Sequence, residues 1–561
     1  MAFTNPLKNK TRRLFYLSIG LWMNVNLLYA QANPELALLQ KKGIYVPDFS
    51  YAGYHNSEKA LPGQLGVTLL LTDYGAMAND EIDDSKALQA ALKAAHEMVQ
   101  PVTIRFPAGR LILSEIFYIE RSNILLRGAG SGALGTVLYF PFPLSMLADP
   151  ESLKELREYL VKYEKIQKEP ENNVYAPFSQ YAWSGGFFWT KVPGVRVKSY
   201  LKEYDQPSNV LSKLTNGRRG TTLIEVSDAS QLKEGDVVEL QWFNKEGELG
   251  SILKELYGST DIRIGSHHWR NPETALVRQQ SSIRNIKGNK VTLADELMMD
   301  IRPEWTPQLV EWKHLKEVGF AHFRVEFPLS IDYPHHVEAG FNAFFLTRVF
   351  NSWIQDVKIK NADAGVLTEE AANITVSNIE TLGAKKAHYS VAMSGVHNVL
   401  VKQLKVKNSV RHPLSFNTYA TKSVYTNCEV LTDPVLDQHS GCNHQNLFDN
   451  IKVEVTLNGE RSYPLFAGGG AGYWKPSHGA YNTFWNIEAR FQDGFDRSEK
   501  IILKGMKDGP EATLVGVHAN SPVGVEYGPE AFIIATGKSP DIKSLFQYQL
   551  EQRLLSLIKK N

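Results

Sequence analysis

Cysteine is nearly absent: Cys428 and Cys442 are the pair found in 561 residues. A chain of this length with two cysteines is not held together by a disulfide framework, and their separation does not match a zinc motif. A core position or an optional bridge is the role left to them. An excess of basic charge is also missing. The 61 Lys and Arg are balanced by 60 Asp and Glu, which argues against a nucleic-acid binder. Long apolar runs are confined to one place, Leu14 to Ala30, where Asn24 and Asn26 interrupt the run. That is short for a ~20-residue membrane span. Lys8, Lys10, Arg12 and Arg13 precede it and Ala30-Gln31-Ala32 ends it. A basic region, an apolar core and a small-x-small site predict a signal peptide over 1–32. The expectation is an exported protein, periplasmic or secreted, with no membrane attachment after cleavage. The rest, at 43% hydrophobic and 22% charged, has the composition of a folded chain, not a disordered one.

Residues 33–144 read as an arm followed by alternating short elements. The stretch 33–65, rich in Tyr, Pro, Gly and Asn, predicts an irregular arm. A strand is expected from Val67 to Gly75. Asp84 or Ser85 then caps a helix whose Leu88, Ala91, Leu92 and Ala95 share one face. Val102–Phe106, Ile124–Gly128 and Thr136–Phe140 read as further strands. The run Asp73-Tyr-Gly-Ala76, Asn79-Asp80, Asp83-Asp84-Ser85, Phe106-Pro-Ala-Gly109 and Leu126-Arg-Gly128-Ala-Gly130 resembles the opening of the pectate-lyase-like superfamily. The resemblance covers about residues 67–140. It implies an all-β, right-handed parallel β-helix, with the short helix plugging its N-terminal end. It says little about chemistry, since that superfamily holds lyases, hydrolases, epimerases and tailspikes.

Residues 145–315 read as a small inserted α+β region. A charged helical stretch from Glu151 to Lys168 is followed by the strands Thr221–Val226, Asp236–Gln241 and Lys290–Leu293. From 316 to 561 short strands recur, with Ile354, Ile374, Val399 and Val424 as equivalent apolar positions about 20 to 25 residues apart. Such a period is the mark of a solenoid. Leu447–Ile451 and Phe484–Ile487 continue it, and an amphipathic helix over Ser544–Leu554 closes the chain.

In a solenoid, equal offsets in successive coils stack at the strand spacing, about 4.7–4.9 Å. Counted from the repeat, His388, then Arg411 and His412, then Asp437 and His439 fall in nearly one column. The preceding loop adds Tyr333, His335, His336, Glu338 and Asn342, and the following ones His444 and then Lys475 and His478. Seven of 15 histidines fall in these loops, a concentration of titratable groups that points to a site. Tyr473 and Trp474 are candidates to bracket sugars, with core packing as the equal alternative, and the run Gly468 to Gly472 reads as a sharp turn beside the groove.

Two chemistries compete for such a groove on an acidic polysaccharide or oligosaccharide. In β-elimination a base removes the proton α to a uronate carboxyl and the 4-oxygen departs. His412 or His388 serves as base, Arg411 clamps the carboxylate, Asp437 orients His439, and Tyr333 or Tyr419 protonates the leaving oxygen. When the 4-position bears a free hydroxyl, the same steps release water, a dehydratase reaction on an oligosaccharide such as one from ulvan. Glycoside hydrolysis instead needs two carboxylates flanking the bond. Glu338, Asp363 and Asp437 are available, but His and Arg dominate the column, so elimination leads. A non-catalytic glycan-binding β-helix is the third reading. No cofactor or metal is expected, with calcium as the alternative that the resemblance to pectate lyases implies: His335, His336 and Glu338 resemble ligand spacing, yet calcium prefers oxygen donors and no firm zinc motif is present.

Overall fold

The computed structural model describes residues 33–147, 179, 181–195, 209–258, 263–470, 472–492, 498–505 and 509–560. The expected signal peptide, the helical stretch from Glu151 to Lys168 and the side chain of Tyr473 lie outside them. Residues 1–45 and 46–561 are separate compact units. Within the first, Pro34–Lys41 is a helix where composition predicts an irregular arm. Asn33 Oδ1 accepts from the Leu36 N–H at 2.8 Å, and Pro34 presets the first helical φ.

The second unit is a right-handed parallel β-helix. Ser85–Glu97 is the expected cap helix, burying Leu88, Ala91 and Ala95. Its N-cap residue Asp84 does not cap it through the side chain: that carboxylate accepts from the Met77 N–H at 3.0 Å instead. Val67–Leu70 is shorter than predicted because Leu71–Tyr74 closes into a 3-10 turn.

From residue 318 onward each coil gives two stretches to a long parallel sheet, parted by one residue of positive φ. His322, Asp356, Asn378, Gln403, Asn427, Asn450 and Asn486 occupy these positions, with φ between 51° and 63°. One left-handed residue redirects an extended chain without a loop, and asparagine tolerates that conformation better than most side chains. The column is also bonded along its length. Asn378 donates to Asp356 at 3.1 Å, Asn450 to Asn427 at 2.6 Å and Asn486 to Asn450 at 2.8 Å. A second left-handed column follows Asn351, Asn373, Asn398, Lys422 and Gln445.

The repeat is real but its register is shifted from the sequence alignment. Ile354 pairs with Val376, two residues beyond Ile374, and Val424 pairs with Leu400, one beyond Val399. The apolar alternation is nearly uniform along these strands, so it marks the period without fixing the partner.

Each coil ends in a strand of an eight-stranded parallel sheet. Its members in spatial order are Phe117–Ile119, Phe188–Thr190, Asn342–Thr347, Ala364–Glu369, Ala387–Met393, Val410–Phe416, Leu436–His439 and Gly468–Gly469. Phe188–Thr190, within the span read as inserted, therefore belongs to the coil. The inserted body is a closed antiparallel barrel of six strands between Val210 and Glu311. The three predicted strands are present in it, as Leu223–Val226, Val237–Trp242 and Lys290–Leu293, and Val210–Gly217, Val277–Lys287 and Gln308–Glu311 complete it. The C-terminal helix runs Leu545–Lys560, and both cysteines are free and buried. Among the described residues no helix is long and apolar enough to cross a membrane.

The barrel joins the coil through buried polar groups. Asp295 Oδ2 stands 3.1 Å from His397 Nε2 and accepts from Asn398 Nδ2 at 3.0 Å. Gln445 donates to the Met298 carbonyl at 2.9 Å, and Tyr257 OH bonds His268 Nε2 at 2.6 Å and accepts from the Cys442 N–H at 2.8 Å. Burial lowers His268 to about 3 and His444 to about 4, against an ordinary 6.5. Below pH 6.5 the unfolded chain thus binds protons that the folded chain refuses. Stability is full above that pH and falls as pH drops toward the folded values, by about 1.4 kcal/mol per pH unit for each histidine. Denaturant titrations between about pH 6.5 and about pH 5 should show that slope, and His444→Asn, which can keep the contact to the Cys442 carbonyl, should reduce it. A pH-independent midpoint would contradict this account of the seam.

Candidate functional site

Three neighbouring strands of the eight-stranded sheet carry His388, His412 and the pair Asp437 and His439. They do not form the single column that counting predicts. His412 pairs with Tyr389, not His388, and Asp437 pairs with Ser415. The groups converge along a diagonal instead. Ring centroids are 5.4 Å apart between His388 and His412 and 4.6 Å apart between His412 and His439.

Asp437 is the pivot of one half. It is 2% exposed, accepts from Ser415 Oγ at 2.7 Å, and its Oδ2 stands 3.1 Å from His412 Nδ1 and 3.5 Å from His439 Nδ1. Burial by itself raises this carboxyl. The His412 and His439 rings beside it, by electrostatic attraction and hydrogen bonding, outweigh it and hold the group well below the usual carboxylate range. With Nδ1–H directed at Asp437, the lone pair of His412 lies on Nε2, which is buried and has no hydrogen-bond partner among the described residues.

The other half is built on the loop before Asn342–Thr347. His335 Nε2 lies 3.1 Å from His388 Nε2, and His388 Nδ1 faces Glu338 Oε1 at 3.3 Å. The rings of His335 and His336 stack at 3.7 Å. Asp363 anchors the far end of this loop by accepting from the N–H groups of Gly340 at 2.9 Å and Phe341 at 2.8 Å. Lys385 pairs with Asp363 in the interior and places its ammonium 4.9 Å from the Tyr333 ring. Burial keeps His335 at about 3 and lowers His336, His388 and His439 also, while it raises Glu338. These imidazoles are neutral near pH 7. Arg411 is half-buried, and its charge acts on His335, Glu338 and His388.

Several sequence-predicted residues sit elsewhere. Asn342 is buried and spends its amide on the carbonyls of Tyr181, Ser184 and Gly185. Tyr419 and Trp474 pack edge to face at 5.6 Å within the core shared with the barrel, and Trp474 stacks on His267 at 4.4 Å. His444 is buried at the same seam, bonded to the Cys442 carbonyl at 3.0 Å. His478 is buried against Tyr527 OH at 2.5 Å. Each of these side chains is buried and held in contacts of the interior. Tyr389 was not anticipated: its ring lies 4.1 Å from His388 and 5.1 Å from His412. Its position next to His388 was the available signal. Ser415 and Lys385 carried none, since isolated Ser and Lys are common in any strand sequence.

Gly468 and Gly469 are strand residues paired with Gln438 and His439, not a turn. A Cβ at Gly469 would lie 2.5 Å from two atoms of the His439 ring, so glycine lets the next coil pass close over that imidazole. Two triads bring one potential ligand atom of each member within 4.8 Å of the others: His335, His336 and His388, and His412, Asp437 and His439. The nitrogen-rich donor set does not suit calcium, which takes six to eight oxygens.

No protein-family model matches this chain and no curated protein matches it. Solved structures of similar fold include the tailspike protein gp49 from Pseudomonas phage LKA1, at 12% identity over 85% of this chain and 80% of that one, with a TM-score of 0.42. DFA-IIIase from Arthrobacter chlorophenolicus A6, without its lid, matches at 12% identity over 84% and 93%, with a TM-score of 0.37. The Gp54 tailspike of Acinetobacter baumannii bacteriophage AP22, in complex with capsular saccharide, matches at 12% over 84% and 69%, with a TM-score of 0.34. The likeness is one of fold.

Gly469→Ala should force the His439 ring aside and destabilise the protein by about 1–3 kcal/mol, as overpacking does. Urea denaturation measures it, and an unchanged midpoint would mean that the coil spacing there is looser than described.

Proposed function

We propose that this chain is an exported enzyme that catalyses β-elimination on a uronate-containing polysaccharide or oligosaccharide. The observation that carries the reading is His412: one nitrogen is held by buried Asp437 and the other is bare. That is the form a general base requires. In the reaction, Nε2 of His412 takes the proton α to the carboxyl, the carbon–carbon double bond forms, and the bond to the 4-oxygen breaks. Arg411 supports the negative charge that builds on the carboxylate. Tyr333, half-exposed at the edge of the cluster, supplies a proton to the departing oxygen.

Hydrolysis is less well supported. Glu338 and Asp437 are 4% and 2% exposed and each faces imidazole, whereas a hydrolase needs two carboxyls that reach the glycosidic bond. Glycan binding without turnover leaves the dyad of His412 and Asp437 without a purpose. Export rests on the basic and apolar pattern of residues 1–32.

Incubation with a panel of uronate-containing glycans should produce the ultraviolet absorbance of an unsaturated uronate. New reducing ends identify a lyase, and their absence a dehydratase. His412→Ala should lower the rate by at least about 100-fold, and Arg411→Ala by about 100-fold on the charged substrate, with circular dichroism unchanged in both. New reducing ends without absorbance would establish hydrolysis and overturn the reading.

A further inference from the structure

The elimination reading leaves His335, His336, His388 and Glu338 without a task, although they form the densest group of imidazoles in the described chain. We infer that His335, His336 and His388 bind one divalent transition ion of the zinc class, and that its open position receives the substrate's carboxylate. The second half of this inference rests on the elimination reading, whereas ion binding stands without it.

Three observations converge. First, the Nε2 atoms of His335 and His388 point at each other across 3.1 Å. Two nitrogens bound to one tetrahedral zinc at 2.0–2.1 Å are separated by about 3.3 Å, so little movement is needed to admit the ion. A nitrogen of His336 lies within 4.8 Å of both. Three histidines leave the fourth position open, as zinc sites that act on substrates do.

Second, His388 has the outer partner that a metal-bound histidine takes. Its Nδ1 faces the carboxylate of Glu338 at 3.3 Å. A carboxylate on the far nitrogen fixes the ring and directs the lone pair of Nε2 inward. Glu338 is buried, and its Oε2 has no hydrogen-bond partner among the described residues. A buried carboxylate with one oxygen unmet is costly, and a cation held through His388 offsets it.

Third, the loop is held where the ligands must be. His336 sits at φ 70°, a conformation few side chains adopt unless the surroundings enforce it. Backbone bonds hold it there: the His336 carbonyl accepts from the Ser179 N–H at 2.6 Å and the Pro334 carbonyl from the Val337 N–H at 3.1 Å.

The alternative triad of His412, Asp437 and His439 fits less well. Asp437 Oδ2 is already engaged by Ser415, and an ion there would take the carboxylate that orients His412. Placing the ion on the first triad puts it beside the base, since the His335 and His412 ring centroids are 5.6 Å apart. A uronate carboxyl is one C–C bond, about 1.5 Å, from the carbon that loses its proton, so one sugar can reach both.

The full chain, stripped with a chelator and dialysed against zinc, should retain one zinc per chain by elemental analysis. Cobalt in its place should give the visible bands of a low-coordinate nitrogen site. His335→Ala, in the half-exposed loop, and His388→Ala should each lose the ion, and Glu338→Gln should weaken it about 10–100-fold. His412→Ala should still hold one equivalent. Absence of zinc from the loaded protein overturns the site, as does zinc kept by His335→Ala and lost by His412→Ala. Because metal content is read without substrate, the two claims fail separately. Zinc bound in a protein that gives no unsaturated uronate from any glycan defeats the carboxylate role and keeps the ion. Unsaturated uronate formed by a protein that holds no zinc defeats the ion alone.

Discussion

Everything in the coil depends on a backbone constraint at its bends. Columns of single left-handed residues, from His322 to Asn486 on one edge and from Asn351 to Gln445 on another, turn the chain without loops. The conformation is unfavourable for most L-residues, so a register slip would place apolar strand residues in it and expose their partners. The bonded side chains of Asn378, Asn427, Asn450 and Asn486 add a second penalty to slippage. Fixed bends make the strands of the eight-stranded sheet stack reproducibly, and only then do His388, His412 and His439 meet.

The site is a compromise between dryness and charge. Burial strips water from His335, His388 and His439 and keeps them neutral. The same burial would raise the Asp437 carboxyl if it stood alone, yet two imidazoles hold it low. One anion shared by two rings lets His412 remain oriented and leaves its other nitrogen unused. In the loop before Asn342–Thr347 Glu338 plays the equivalent part for His388 with a weaker set of partners.

The fold was legible because period and turn chemistry are local. The cap helix, the early strands and the repeat all follow from short stretches, and the run from Asp73 to Gly130 carried the resemblance. Register was not legible to the residue, since Ile354 could align with Ile374 or Val376 on apolar pattern alone. That His335, His336, Glu338, His388, His412, Asp437 and His439 come together was legible through histidine density. Tyr419, Trp474 and His444 were misassigned because sequence cannot tell an aromatic facing a groove from one facing the barrel, and the barrel's docking surface is set by residues more than a hundred positions away. The helix Pro34–Lys41 was missed because a Pro-initiated helix of eight residues looks like arm composition.

The chain leaves the coil after Phe188–Thr190 and rejoins it at Leu315–Lys316 and Val318–Glu326, and the next strand of the eight-stranded sheet, Asn342–Thr347, lies beside Phe188–Thr190: Phe188 pairs directly with Phe344. Topologically, then, 124 residues between Thr190 and Leu315 are spliced into a single step of the spiral, and the spiral closes over the splice. The guest is nonetheless no longer removable. Taking it out would leave His397 and Asn398 facing solvent without Asp295, and would bare the hydrophobic flank of Tyr419 and Trp474. An appendage that entered by a narrow neck has become a supporting wall.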